Sequence, residues 1–142
     1  GLLISCYTAL GDMDAVRRVS ERTLGRAEKA IALEADNGSA MAAMFTCLLG
    51  TGETDRANEW ARRAVLIDPD NLIMRYNLAC DLTINLRDFD LALEFLSPVL
   101  QKTGHEQLQW TKSDPDLDAL RDDPRFRDMI LAAEKRLGAM SA

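Results

Sequence analysis

The sequence predicts an all-α protein built from stacked helix pairs, and three observations predict it. Apolar residues recur at three- and four-residue spacing along most of the 142 residues. The stretch from Gly38 to Asn71, about 34 residues long, reads as one complete helix-turn-helix unit, a period typical of helical repeat arrays. It closes on Ile67-Asp68-Pro69-Asp70-Asn71, and another unit begins at once. Such units cannot bury an apolar face alone, so each needs a neighbour.

The first unit occupies about residues 1–37. The chain opens Gly1-Leu2-Leu3-Ile4-Ser5, without an initiator methionine and already helical in pattern, which reads as a piece of a longer protein. Leu3, Tyr7 and Leu10 share one face of a first helix, and Gly11-Asp12 ends it. Asp12 or Asp14 can cap the next helix, which runs from about Asp14 to Glu34 with Val16, Val19, Thr23, Ala27, Ala30 and Ile31 on one stripe. Gly25 weakens that helix by roughly 1 kcal/mol relative to alanine. Aligning Ala30 to Asn37 with Ala64 to Asn71 leaves extra residues between Gly11 and Ala30. Their number, close to two turns, lengthens the helix by about 10 Å while turning its apolar face by only about 20°.

In the second unit, residues 38–71, Met41, Met44, Phe45 and Leu48 form the inner stripe of the first helix, and Gly50-Thr51-Gly52 breaks it. Thr54 or Glu53 opens the partner helix, where Ala57, Trp60, Ala61, Ala64 and Val65 lie on one side and Arg56, Glu59, Arg62 and Arg63 on the other. The third unit, residues 72–102, repeats the pattern with Leu78, Ala79 and Leu82, then Ala92, Phe95, Leu96 and Val99. Its turn, Asn85-Leu86-Arg87-Asp88, carries one extra residue and no glycine. Pro98 removes a backbone hydrogen bond from the second helix and should bend or shorten it near Glu94 to Ser97.

Residues 103–142 break the repeat. Ser113-Asp114-Pro115 and Asp123-Pro124 each put a capping residue before a proline, the usual opening of a helix. A short helix over 115–120 and a terminal helix over 124–137 follow, the latter with Phe126, Met129, Ile130, Ala133 and Leu137 on one face and Gly138 at its end. That face has to cover the open end of the third unit, as the capping element of an array does.

A formal charge of −6 and a pI near 4.8 argue against nucleic-acid and anionic-membrane surfaces. The longest apolar run, Ala40 to Leu49, is far short of the roughly 18 residues of a membrane span, and no signal peptide is evident. Cys6, Cys47 and Cys80 have no CxxC pairing and follow the repeat spacing, as buried structural thiols in a reducing, cytoplasmic setting would. Trp60 and Trp110 are expected in the core. No phosphate-binding glycine loop or His-Glu-x-x-His is present, and the one histidine, His105, falls in an expected loop. The chain is therefore expected to be non-catalytic, without cofactor or metal. Asp114, Asp116 and Asp118 mimic the start of a calcium loop, but Ala119 and Arg125 stand where such a loop needs glycine and glutamate. Helix capping accounts for Asp114.

These residues resemble the tetratricopeptide repeat. The second unit carries the likeness at Phe45, Leu48, Gly52, Ala57, Ala64 and Pro69, the third at Leu78, Ala79, Leu82 and Ala92, and the first at Tyr7, Gly11 and Ala30. Phe45 stands at a site the family fills with a small residue, Leu48 at an aromatic site. The likeness covers about residues 2 to 102 and implies a right-handed α-solenoid of three helix pairs plus a capping helix. Trp110 and the run from Asp114 to Phe126 are similar to the closing segment of repeat domains on bacterial signalling proteins, above all the region after the catalytic domain of adenylate or guanylate cyclases; kinases and winged-helix regulators carry related tails.

The resemblance implies a protein-protein interaction or regulatory module. By family geometry its concave groove would be lined by Ser39, Ala42, Ala43, Thr46 and Leu49 and by Tyr76, Asn77, Cys80, Thr83 and Ile84. These side chains are small, neutral or apolar, so the expected occupant is an apolar or neutral peptide segment of a partner or of the parent chain. A homodimerisation scaffold for the parent enzyme is the alternative, as is a groove filled by the protein's own flanking helix.

Overall fold

The computed structural model describes Tyr7 and residues 10–140. Among the described residues every regular element is helical. The first expected helix, with Leu3 and Cys6, lies outside them except at its end, where Leu10 is 78% exposed rather than part of an inner stripe. The reason is local: Leu10 enters the turn completed by Gly11 at φ +71°. The chain divides into two compact units, residues 1–74 and 75–142.

In the first unit, α1 spans Met13–Leu33, α2 Gly38–Gly50 and α3 Thr54–Ile67. The Asp12 carboxylate caps α1, accepting from the Ala15 N–H at 2.9 Å, and Asn37 caps α2 through Ala40 N–H at 2.8 Å. Glu53 precedes α3 without a side-chain cap and instead pairs with Arg56. Short connections fold each helix back on the last, and α2 packs against both α1 and α3. Val16 and Ala27 of α1 are buried, with Val19, Thr23, Ala30 and Ile31 half-buried beside them. Met41, Met44, Phe45, Cys47 and Leu48 of α2 and Ala57, Ala61, Ala64 and Val65 of α3 complete the core. Arg56, Glu59, Arg62 and Arg63 face solvent. Trp60 is half-buried rather than enclosed, with the Arg63 guanidinium 5.1 Å from the ring centre.

Glycines set how closely these helices approach. A Cβ on Gly38 would stand 2.6 Å from Asp68 Cβ and 3.3 Å from the Ala64 carbonyl, so the start of α2 abuts the end of α3. At the other end, a Cβ on Gly50 would meet Ser20 Oγ of α1 at 2.3 Å. Ser20 is fully buried and its hydroxyl has no hydrogen-bond partner among the described residues. Gly52 supplies the left-handed residue after α2, at φ +82°.

The second α-hairpin closes differently. Asn71 caps α4, Leu72–Asp81, through Met74 N–H at 3.0 Å, and α4 runs on into a π-helical turn, Leu82–Leu86. The step from cap to cap is one residue longer here, Asn71 to Asp88 against Asn37 to Glu53, and the wider π turn absorbs that residue. Arg87 takes the left-handed conformation that glycine takes at Gly52, with φ 52°. Asp88 then caps α5, Phe89–Lys102, by accepting from Leu91 N–H at 3.1 Å. This helix continues past Pro98 without being shortened and buries Leu91, Ala92, Leu93, Phe95, Leu96, Val99 and Leu100.

His105 does not lie in a loop: it begins α6, His105–Ser113. Trp110 of that helix is 58% exposed, against its expected place in the core, because Leu108 and Thr111 are the residues α6 turns inward. Pro115–Leu120 form a 3₁₀ turn that packs against Leu82–Leu86, and α7, Pro124–Met140, packs on α5 and α6. Phe126, Ala133 and Leu137 of α7 are buried. The helix passes Gly138 without stopping. Arg136 ties α7 to the end of α5, donating to the Leu100 and Thr103 carbonyls at 3.2 and 2.7 Å.

Gly38→Ala is expected to destabilise the protein by about 1–3 kcal/mol, because the added methyl must push the backbones of α2 and α3 apart. A urea midpoint equal to or above that of the parent protein would contradict this close approach.

Candidate partner-binding surface

α2 carries no charged residue on any side. Two of its faces are closed by α1 and α3, and the third bears Ser39, Ala42, Ala43, Thr46 and Leu49. Ser39 is exposed, and the other four are half-buried. Thr46 donates its hydroxyl to the Ala42 carbonyl at 3.4 Å, so one of the two polar side chains of the stripe spends its proton within the helix. The Asn71 side-chain amide approaches Ser39 Oγ at 3.5 Å at one end of the stripe. The face is thus small, uncharged and poor in free donors, suited to the close approach of an apolar or neutral segment.

In the second unit the expected groove residues divide. Asn77 and Ile84 are exposed. Tyr76, Cys80 and Thr83 are buried, with exposures of 8%, 7% and 1%. Thr83 donates to the Ala79 carbonyl at 2.7 Å, and Tyr76 donates its hydroxyl to Asp114 Oδ2 at 2.6 Å. These three residues therefore face inward as part of the packing of their own unit. The cause is the segment after α6, whose 3₁₀ turn covers the π-helical turn and brings Asp114 to Tyr76.

Asp114 is the centre of a polar cluster. It is buried, and its second oxygen accepts from Asp116 N–H at 3.0 Å, capping the 3₁₀ turn. Its backbone carbonyl accepts from Arg121 at 3.0 Å, and Arg121 also pairs with Asp118 at 2.6 Å. Cys80 Sγ and one carboxylate oxygen each from Asp114 and Asp116 lie within 4.8 Å of one another. Three such atoms could in principle ligate a cation, but both Asp114 oxygens already accept hydrogen bonds and Asp118 is engaged elsewhere. Burial, and then the Asp114 charge, push the Cys80 thiol far above its ordinary value, so it rests as the protonated thiol rather than the ligating thiolate. Burial and then the Asp114 hydrogen bond likewise hold Tyr76 protonated, the state in which it donates. The arrangement is a polar clamp that seats the closing segment.

The sequence marks Asp114 as a cap and Tyr76 and Cys80 as groove residues; it gives no sign that they meet. Only the capping motif Ser113-Asp114-Pro115, which fixes where the 3₁₀ turn starts, could have hinted at the position of that carboxylate.

Desolvation and the neighbouring Asp114 raise the Asp116 carboxyl above its ordinary value of 3.8. A carboxyl raised in the folded state makes the protein less stable as pH climbs from that ordinary value through the raised one. Asp116→Asn removes the penalty, so its denaturation midpoint should exceed that of the parent protein at neutral pH and the difference should vanish near pH ~3. A midpoint lowered at neutral pH would show that the Asp116 charge stabilises the clamp. Comparison of the chain with protein-family models, with curated proteins and with solved structures finds no match.

Proposed function

We propose that the chain is a protein-interaction module: a solenoid of tetratricopeptide-like helix pairs with a C-terminal cap, whose receptor surface is the uncharged face of α2. The observation that carries this reading is the composition of α2. A helix uncharged on all sides and mostly apolar belongs under cover, yet one of its faces, from Ser39 to Leu49, is closed by neither α1 nor α3. A partner segment packing its own apolar residues onto Ala42, Ala43 and Thr46 would complete that cover. In the second unit Asn77 and Ile84 are exposed. The likeness of Trp110 and the Asp114 to Phe126 run to closing segments of bacterial cyclase tails supports a place in a larger cytoplasmic signalling protein, such as an adenylate cyclase, with the module acting on regulation rather than on chemistry.

Selection of uncharged helical peptides from a displayed library against the immobilised chain tests the reading. Enriched peptides should lose at least about tenfold in affinity, roughly 1.4 kcal/mol, towards Thr46→Arg. The melting midpoint of that variant should stay near the parent value, because the arginine head can reach solvent. A selection that enriches nothing, or peptides indifferent to Thr46→Arg, would contradict it.

A further inference from the structure

The outer face of α1 carries a second surface of opposite character. Arg18, Arg22, Arg26 and Lys29 are all exposed. At 100° per residue they fall within an arc of roughly 80°, in a stripe about 16 Å long. None has a carboxylate partner among the described residues, whereas Arg17 on the same helix is paired with Asp14 at 2.8 Å. Arg22, Arg26 and Lys29 have no acidic residue three or four positions away, and Arg18, Arg22 and Arg26 repeat like charge at every turn. Like charges one turn apart destabilise a helix. The stripe therefore weakens the element that bears it, in a chain whose net charge is −6.

We propose that this stripe docks an acidic segment of a partner protein, a helix presenting carboxylates one turn apart along the outer face of α1. The width of the stripe selects the occupant. Asp14, Glu21 and Glu28 are exposed on the adjoining arc of the same helix, roughly 40–80° from the near edge of the stripe. A broad anionic surface such as a bilayer or a nucleic-acid duplex would set its flanking phosphates against those carboxylates. A single acidic helix, one row of carboxylates wide, meets only the cations. Leu33, 87% exposed at the end of α1, adds an apolar contact just past Lys29. The proposal rests on the reading of the chain as an interaction module but uses a different face, so the two fail separately.

Fluorescence anisotropy with the whole chain tests it, using a labelled helical peptide with glutamate at every fourth position in about 50 mM salt. The parent protein should bind, and binding should weaken steeply as salt is raised to about 0.3 M. Arg22→Glu/Arg26→Glu should weaken it at least about tenfold, and the milder Arg22→Gln/Arg26→Gln pair several-fold, serving if the reversal fails to fold. Arg62→Gln/Arg63→Gln on α3 should leave it unchanged. The proposal is overturned if the peptide does not bind, if the α1 variants bind like the parent, or if an oligonucleotide or anionic vesicles bind more tightly than the peptide through these arginines.

Discussion

The absence of charge from α2 is the constraint from which the rest of the first unit follows. A helix of thirteen residues with no charged side chain has no face that water favours, so its neighbours must come close. Glycine at either end permits this: Gly38 lets α2 meet the end of α3 near Asp68, and Gly50 lets it meet α1 at Ser20. The alanines of α3, Ala57, Ala61 and Ala64, bring the facing surface nearer still. Close packing on two sides leaves the third as the place where a further apolar surface gains most by binding. The structural requirement and the proposed receptor surface are two aspects of the same composition.

In the second unit polar groups seat the last helical segments. Its closing segment is held by Asp114, which joins the Tyr76 hydroxyl, the start of the 3₁₀ turn and, through its carbonyl, Arg121. A buried carboxylate is costly unless its oxygens are satisfied, and here both are. The segment then feeds α7, whose Phe126, Ala133 and Leu137 are buried and whose Arg136 satisfies carbonyls at the end of α5. Tyr76, Cys80 and Thr83 are withdrawn from any groove as a result.

Much of this was legible because helical periodicity and caps are local signals. The inner stripes of α2, α3 and α5 and the capping role of Asp114 follow from spacing and residue type alone, whereas the choice of Asp12 over Asp14 as the cap of α1 does not. The extra residue before Asp88 was visible too, but its accommodation as a π turn with Arg87 left-handed depends on hydrogen bonds that spacing does not encode. Trp110 shows the other limit. A large aromatic side chain is usually inside, yet the register of α6 is set by Leu108 and Thr111, and the indole falls on the outer side. The meeting of Tyr76 with Asp114, 38 residues apart, was beyond any local pattern. Among Tyr76, Asn77, Cys80, Thr83 and Ile84, which side chains stay exposed is decided by the closing segment, and no local pattern encodes that.

The two surfaces of the first unit are complementary in what they offer a partner: an uncharged face on α2 and a cationic stripe on α1. The uncharged face is the centre of the account, and thiol accessibility in the native protein tests it most directly. With Cys6 replaced by alanine, a thiol introduced by Ala43→Cys should react with an aromatic disulfide reagent many times faster than Cys47, which is buried on the same helix with its thiol shifted up by desolvation. A thiol at position 43 that reacts as slowly as Cys47 would mean that the face is already covered, and the receptor surface proposed for α2 would be lost.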